Sequence, residues 1–203
     1  MQIVNSNVRN KLDRGEKIQL ELGAGGKARD GYVSLDLLPL EGVDIVANLN
    51  EPLTDLPDNC VASLRTRHTL EHVQEFLPLM KEIHRIVAPG GRIEITVPHY
   101  TNPYYYSDPT HERFFGLYTF NYFVDPEKQP RLRQVPSFYT DFRFEIVSIR
   151  IMFYRQGIID RIVAPILERI INRSFYLQDF YERRLASCFH AWQLRYILVP
   201  QKK

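Results

Sequence analysis

Cysteine is scarce in this chain of 203 residues, with Cys60 and Cys188 far apart and in no metal-like spacing. That excludes a disulfide-stapled scaffold and suits a reducing compartment. No apolar run reaches the length of a membrane span and no stretch reads as a leader, so a cytoplasmic location is expected. Internal repeats and low-complexity segments are missing too. A net charge of +2 makes no case for nucleic acid, and none is expected among the partners. What remains is an ordinary globular composition, 44% hydrophobic and 25% charged, enough for one domain with a sizeable core.

The chain is organised around Ile18 to Gly26, an apolar run that ends in Glu21, Leu22 and a glycine cluster. A buried strand that stops at glycines lets its backbone approach a ligand closely. A second strand, Tyr32 to Leu35, closes on Asp36. Strand, glycine loop, strand and acid is how a doubly wound sheet holds a nucleoside, the carboxylate accepting ribose hydroxyls. Before them, Asn5 to Arg14 reads as a short polar helix. After them come strands over 42–47, Val61 to Arg67, and Arg92 to Val97. A helix from Phe76 to Val87 precedes the last of these and stops at Pro89-Gly90-Gly91, with His84 expected on its solvated side. Residues 99–123 are dense in aromatics and suit an ordered lid. Phe142 to Phe153 and Leu194 to Val199 read as the final strands. Between them, Gly157 to Leu185 reads as helix, with a break expected at Pro165.

Two motifs tempt other readings. Gly23-x-Gly25-x-x-Ala28 fits the dinucleotide fingerprint, but Lys27 to Gly31 leave no room for the helix that would receive a pyrophosphate. His68-Thr69-Leu70-Glu71-His72 fits a zinc-protease pattern, which needs both histidines on one face of a helix. Here it follows a strand-like run, with Pro78 close behind, and no metal is expected.

Taken in order, Glu21-x-Gly23-x-Gly25, Asp36, His68 to His72, and Glu82 to Arg92 resemble the class I S-adenosylmethionine-dependent methyltransferases. More narrowly, the chain resembles small bacterial members often associated with sugar and polysaccharide modification, over roughly residues 17 to 123. The resemblance implies an α/β fold: a Rossmann-like, mostly parallel seven-stranded sheet with helices on both faces, a contracted first crossover and a C-terminal helical addition. It implies one domain over 1–203, with a cofactor core at 17–98, an aromatic substrate-side lid at 99–141 and a helical addition at 154–190. S-adenosylmethionine is the implied cofactor. Glu21, Gly23, Ala24 and Gly25 would line its methionine end, Asp36 and Leu37 its ribose, and Asn48 and Leu49 its adenine. Arg67, His68, Thr69 and Leu70 would line the adenosyl pocket, with His72 near the point of transfer. Two positions depart from the family pattern: Asn48 stands where an acid is usual, and Lys27 replaces the third glycine.

Methyl transfer to a hydroxyl needs a group to take the proton, and histidine suits this near neutral pH. His111, His99 and His72 are the candidates, in that order, with Tyr100, Tyr104, Tyr105 and Tyr106 as substrate contacts. The resemblance implies O-methylation of a sugar or glycan intermediate. A non-catalytic binding or assembly subunit on the same fold is the alternative. The isoleucine-rich stretch after Gly157, beside Arg155, Arg161, Arg169 and Arg173, is expected to pack on the sheet or on a second copy in a homodimer. Otherwise it contacts a membrane surface peripherally.

Overall fold

The computed structural model describes residues 1–202. Strands β1 (Gln2–Ile3), β2 (Ile18–Leu22), β3 (Val33–Asp36), β4 (Ile45–Val46), β5 (Val61–Arg67), β6 (Val87–Pro98), β7 (Arg143–Phe153) and β8 (Ala191–Gln201) form one sheet. Their order is β1-β4-β3-β2-β5-β6-β8-β7. The five central strands, β4 through β6, run parallel, and β8 lies antiparallel between β6 and β7. The sheet thus has eight strands rather than seven. The extra one is the two-residue β1, which pairs antiparallel with β4 through Gln2↔Val46 and Ile3↔Ile45, too short to leave a periodic signal.

Among the described residues the four α-helices are α1 (Ser6–Asp13), α2 (Phe76–Ile86), α3 (Ile158–Ile171) and α4 (Phe175–Arg184). Asn5 caps α1 by accepting from the Asn7 amide. Contraction extends well past the first crossover. Among the described residues, α2 is the one α-helix in a parallel crossover, while β2–β3, β3–β4 and β4–β5 are joined by loops. Leu53 and Leu56, both fully buried, fill the space a helix would cover in the last of these loops. That loop is pinned to α2: Glu82 accepts from the Leu53 amide at 3.0 Å, and Arg85 donates to the carbonyls of Leu53 and Leu56.

Several expectations need correction. The strand over 42–47 shrinks to Ile45–Val46. Pro165 lies inside an unbroken α3, and the chain turns instead at Asn172 to Ser174, where the Ser174 hydroxyl caps α4. His84 is half-buried rather than solvated: it packs against Phe142 and Phe144 and lies 3.1 Å from the Gln201 carbonyl. The aromatic stretch is only partly a lid, since Phe115, Phe120 and Phe123 are in the core and pack edge-on to Phe76.

Candidate active site

Strand order reverses at β2, which has β3 on one side and β5 on the other, and ligands in such sheets sit beyond the carboxyl ends of the strands at that point. Gly23 follows β2 at φ +68°, a conformation that favours glycine. A Cβ there would collide with the Thr69 side chain, so β5's end can close over β2's only because position 23 is bare. The Gly23 amide donates to the Leu35 carbonyl at 2.8 Å. Asp36 accepts from the Gly25 amide at 2.8 Å and from the Leu38 amide at 3.2 Å. The acid of the second strand therefore grips the glycine loop of the first, on one side of the sheet. A cleft of about 250 Å³ opens there, bounded by Gly23, Asp36, Leu37, Asn48, Leu49, His68, Thr69 and His72.

Other expected residues point elsewhere. Glu21 is buried and serves the scaffold, accepting from Arg65 at 2.8 Å and from the Arg29 amide at 2.7 Å. Its charge holds the returning loop instead of facing the cleft. Leu70 is fully buried in the core. Ala24 and Gly25 lie outside the cleft lining, although Gly25 orients Asp36. Asn48 borders the cleft, but its amide is occupied by its own loop: Oδ1 accepts from the Asn50 amide and Nδ2 donates to Glu51. Asn50, which the sequence did not single out, is also in the lining and accepts from the amides of Gln74 and Glu75, tying the β4–β5 loop to the start of α2.

At the far end His72 meets His111, with ring centroids 4.7 Å apart. His111 reaches this place because its Nδ1 sits 2.8 Å from the Tyr105 carbonyl and its ring packs on Tyr105. A carbonyl only accepts, so Nδ1 carries the proton and the neutral ring's lone pair is on Nε2. His72 Nδ1 is held likewise, 2.8 Å from the Thr110 hydroxyl, which itself donates to Asp108, and 3.3 Å from the Thr110 carbonyl. Two hydrogen bonds from Thr110 to Asp108 hold that exposed carboxyl below its ordinary range. Tyr105 is buried and donates to the Arg113 carbonyl at 2.6 Å; its burial raises the phenol.

His99 is fully buried, with Nδ1 at 2.7 Å from Thr101 and Nε2 at 3.2 Å from Glu182, so both ring nitrogens are taken and neither faces the cleft. The tyrosines diverge. Tyr100 bonds to the Glu182 carbonyl, and Tyr104 packs on Tyr154 away from the cleft. Tyr106 is exposed beside Phe114, and only Tyr105 touches His111. His68, at φ +50°, turns toward Glu71 and Gln193 of β8, a contact between residues far apart in sequence that no local pattern signals.

Residues 27–95 match the family model described as a methyltransferase domain. No curated protein matches the sequence significantly. Among solved structures, a SAM-dependent methyltransferase from Archaeoglobus fulgidus is 20% identical, with a TM-score of 0.53 over 97% of this chain and 92% of that one. An S-adenosylmethionine-dependent methyltransferase from Mesorhizobium loti is 14% identical, with a TM-score of 0.51 over 97% and 96%. At these identities the likeness is one of fold, and the fold is shared end to end. That segment holds Asp36, Asn48 and His68 to His72 but neither Gly23 nor His111; the protein is an enzyme with a methyltransferase domain, and its cofactor is S-adenosylmethionine.

Proposed function

We propose that the protein O-methylates a hydroxyl of a sugar or glycan intermediate. The observation that carries this is the pair of imidazoles, His72 and His111, meeting at the end of the cleft that Asp36 and Gly23 begin. Asp36 would hold the ribose, having oxygen lone pairs left after its two backbone bonds. The Gly23 turn, with Thr69 closed over it, would form the wall beside the methionine end, and the apolar walls of Leu37 and Leu49 would receive the adenine. When bound, the cofactor supplies a methyl group on a positively charged sulfur, and the C–S bond breaks, its electron pair staying on sulfur, as a C–O bond forms. The chain must then place an acceptor oxygen in line and take its proton. The Nε2 lone pairs of His111 and His72 are the basic atoms positioned for that. His99 is not, because its nitrogens are both occupied inside the core. A rim of Tyr106 and Phe114 offers the flat apolar faces on which a saccharide packs.

A second surface fits the same substrate class. On α3, Ile158, Ile159, Ile162, Ile166 and Ile170 are exposed, and exposed arginines flank them at 155, 161, 169 and 173. No helix among the described residues is long and apolar enough to cross a membrane. An apolar stripe edged by arginine matches an anionic bilayer surface, where a lipid-linked saccharide would be presented.

The deciding assay is methyl transfer from labelled S-adenosylmethionine to lipid-linked and free saccharides, beside calorimetry with the cofactor. Labelled product from wild type, with at least a ~100-fold loss in His111→Ala and cofactor affinity retained, is expected. Cofactor binding with no turnover on any hydroxyl acceptor would favour the non-catalytic subunit instead.

A further inference from the structure

Three side chains at the acceptor end of the cleft are arranged as ligands, and one of them has a valence left over. Glu71 is 1% exposed. Its Oε1 lies 3.3 Å from His68 Nδ1, while its Oε2 is buried with no hydrogen-bond partner among the described residues. An orphaned carboxylate oxygen in the interior is costly and asks for a counter-group. One donor atom from each of Glu71, His72 and His111 lies within 4.8 Å of the other two. Both imidazoles are anchored through Nδ1 to acceptors on residues 105 and 110, which leaves each Nε2 with its lone pair free. That is the outer support that metal-binding histidines show: the proton on one nitrogen is tied to a carbonyl, fixing the tautomer and aiming the other nitrogen.

We propose that Glu71, His72 and His111 form a three-ligand site for a divalent transition-metal ion, of the zinc and cobalt class that two imidazoles and a carboxylate select. The site is not the one the His68-to-His72 pattern suggests. His68 turns its Nε2 to Gln193, 3.0 Å away, and His111, from the aromatic segment, takes the place that pattern gives to His68. The inference rests on reading this end of the cleft as the acceptor side, because His72 belongs both to the cleft lining and to the triad. It changes how the imidazoles act. Three protein ligands leave a coordination position open. With an ion bound, an acceptor hydroxyl there would become more acidic and would give its proton to water at the cleft mouth while Glu71, His72 and His111 hold the ion; without it, the two imidazoles act as the bases described above. Asp108, whose Oδ2 is 3.8 Å from His111 Nε2, adds negative charge at that mouth.

The test is metal binding alone, without cofactor or acceptor, so it stands or falls separately from the assay above. Chelator-stripped protein is titrated with cobalt(II) chloride, followed by visible d–d absorption and by calorimetry, and then challenged with zinc chloride. One equivalent of cobalt with strong visible bands, displaced by zinc, is expected. His72→Ala and His111→Ala should each weaken binding by more than ~100-fold, and Thr110→Val, which keeps all three ligands but removes an anchor, by ~10-fold or more. His190→Ala, at an exposed histidine elsewhere, should leave the titration unchanged. Thr110→Val keeps the test informative if a ligand variant is poorly folded. No cobalt bands in wild type, or bands equally strong in the His72→Ala/His111→Ala double variant, would overturn the site.

Discussion

Helices α2 and α3 are both rich in isoleucine and leucine, yet they turn those side chains in opposite directions. On α2, Phe76, Leu79, Met80, Ile83 and Ile86 are buried. On α3, Ala164, Glu168 and Ile171 are buried, while Ile158, Ile159, Ile162 and Ile166 are more than half exposed. The difference follows from what each helix covers. α2 lies on a sheet face, where side chains are apolar and the backbone is already paired. α3 lies along β7, an edge strand whose outer amides and carbonyls have no strand to pair with. Those groups are met by side chains. The Ile151 amide and carbonyl pair with the Asn172 side chain at 2.7 and 2.8 Å, and the Phe153 amide donates to Glu168 at 3.1 Å. Gln178 of α4 donates to the Ile149 carbonyl at 2.7 Å. Polar residues must face inward there, so the apolar stripe is left outside. An amphipathic pattern thus says that a helix has two faces without saying which one is buried.

The largest effects come from breaking the packing that separates the two helices. Ile83→Ala removes fully buried atoms and should cost about 2–5 kcal/mol of unfolding free energy in urea denaturation. Ile162→Ala, at a residue 63% exposed, should stay within about 0.5 kcal/mol. A cost above about 2 kcal/mol at Ile162 would mean that α3 is packed in solution, by a second copy of the chain. The next effect is on partition to vesicles. Ile162→Glu with Ile166→Glu should lower binding to anionic vesicles at low salt by roughly tenfold or more while leaving the melting temperature unmoved. If wild type shows no vesicle binding and sediments as a dimer, the bilayer reading of α3 is replaced by self-association.

Much of this was legible in sequence, and the limits of that legibility are physical. Val61–Arg67 and the acid-closed β3 were readable because alternation and buried runs report directly on strands, and the structure brings the expected Asp36 and Gly23 to the border of one cleft. Neither the orientation of α3 nor the employment of Glu21 could be read. Glu21 was expected to line the cofactor but answers to Arg65, a partner on a neighbouring strand. His72 and His111 were named separately; their meeting, with Glu71, depends on the fold of a loop that carries no periodicity. His99 illustrates the converse, where a residue of the right type at the right strand end is used up by Glu182 of α4.

The smallest prediction tests whether the α2 side of the comparison is purely apolar. Away from the core, Glu82 accepts from Arg85 at 2.8 and 3.0 Å and from the Leu53 amide at 3.0 Å, so this helix also has a polar task, fastening the helix-free β4–β5 loop. The hydrogen bonds from Arg85 hold the Glu82 carboxyl below its ordinary value of 4.5. A carboxylate with a depressed folded pKa stabilises the fold fully above its unfolded pKa and loses that contribution as pH falls through the folded value. Wild-type stability should therefore decline as pH is lowered from about 6 into the range below its unfolded pKa. In Glu82→Gln that part of the decline should vanish, at a cost near pH 7 of about 1 kcal/mol for a partly exposed pair. Urea denaturation of both proteins across that range measures it. Parallel pH profiles would show that Arg85 alone, through the Leu53 and Leu56 carbonyls, holds the loop, and that α2's outer surface contributes no charge-dependent stability.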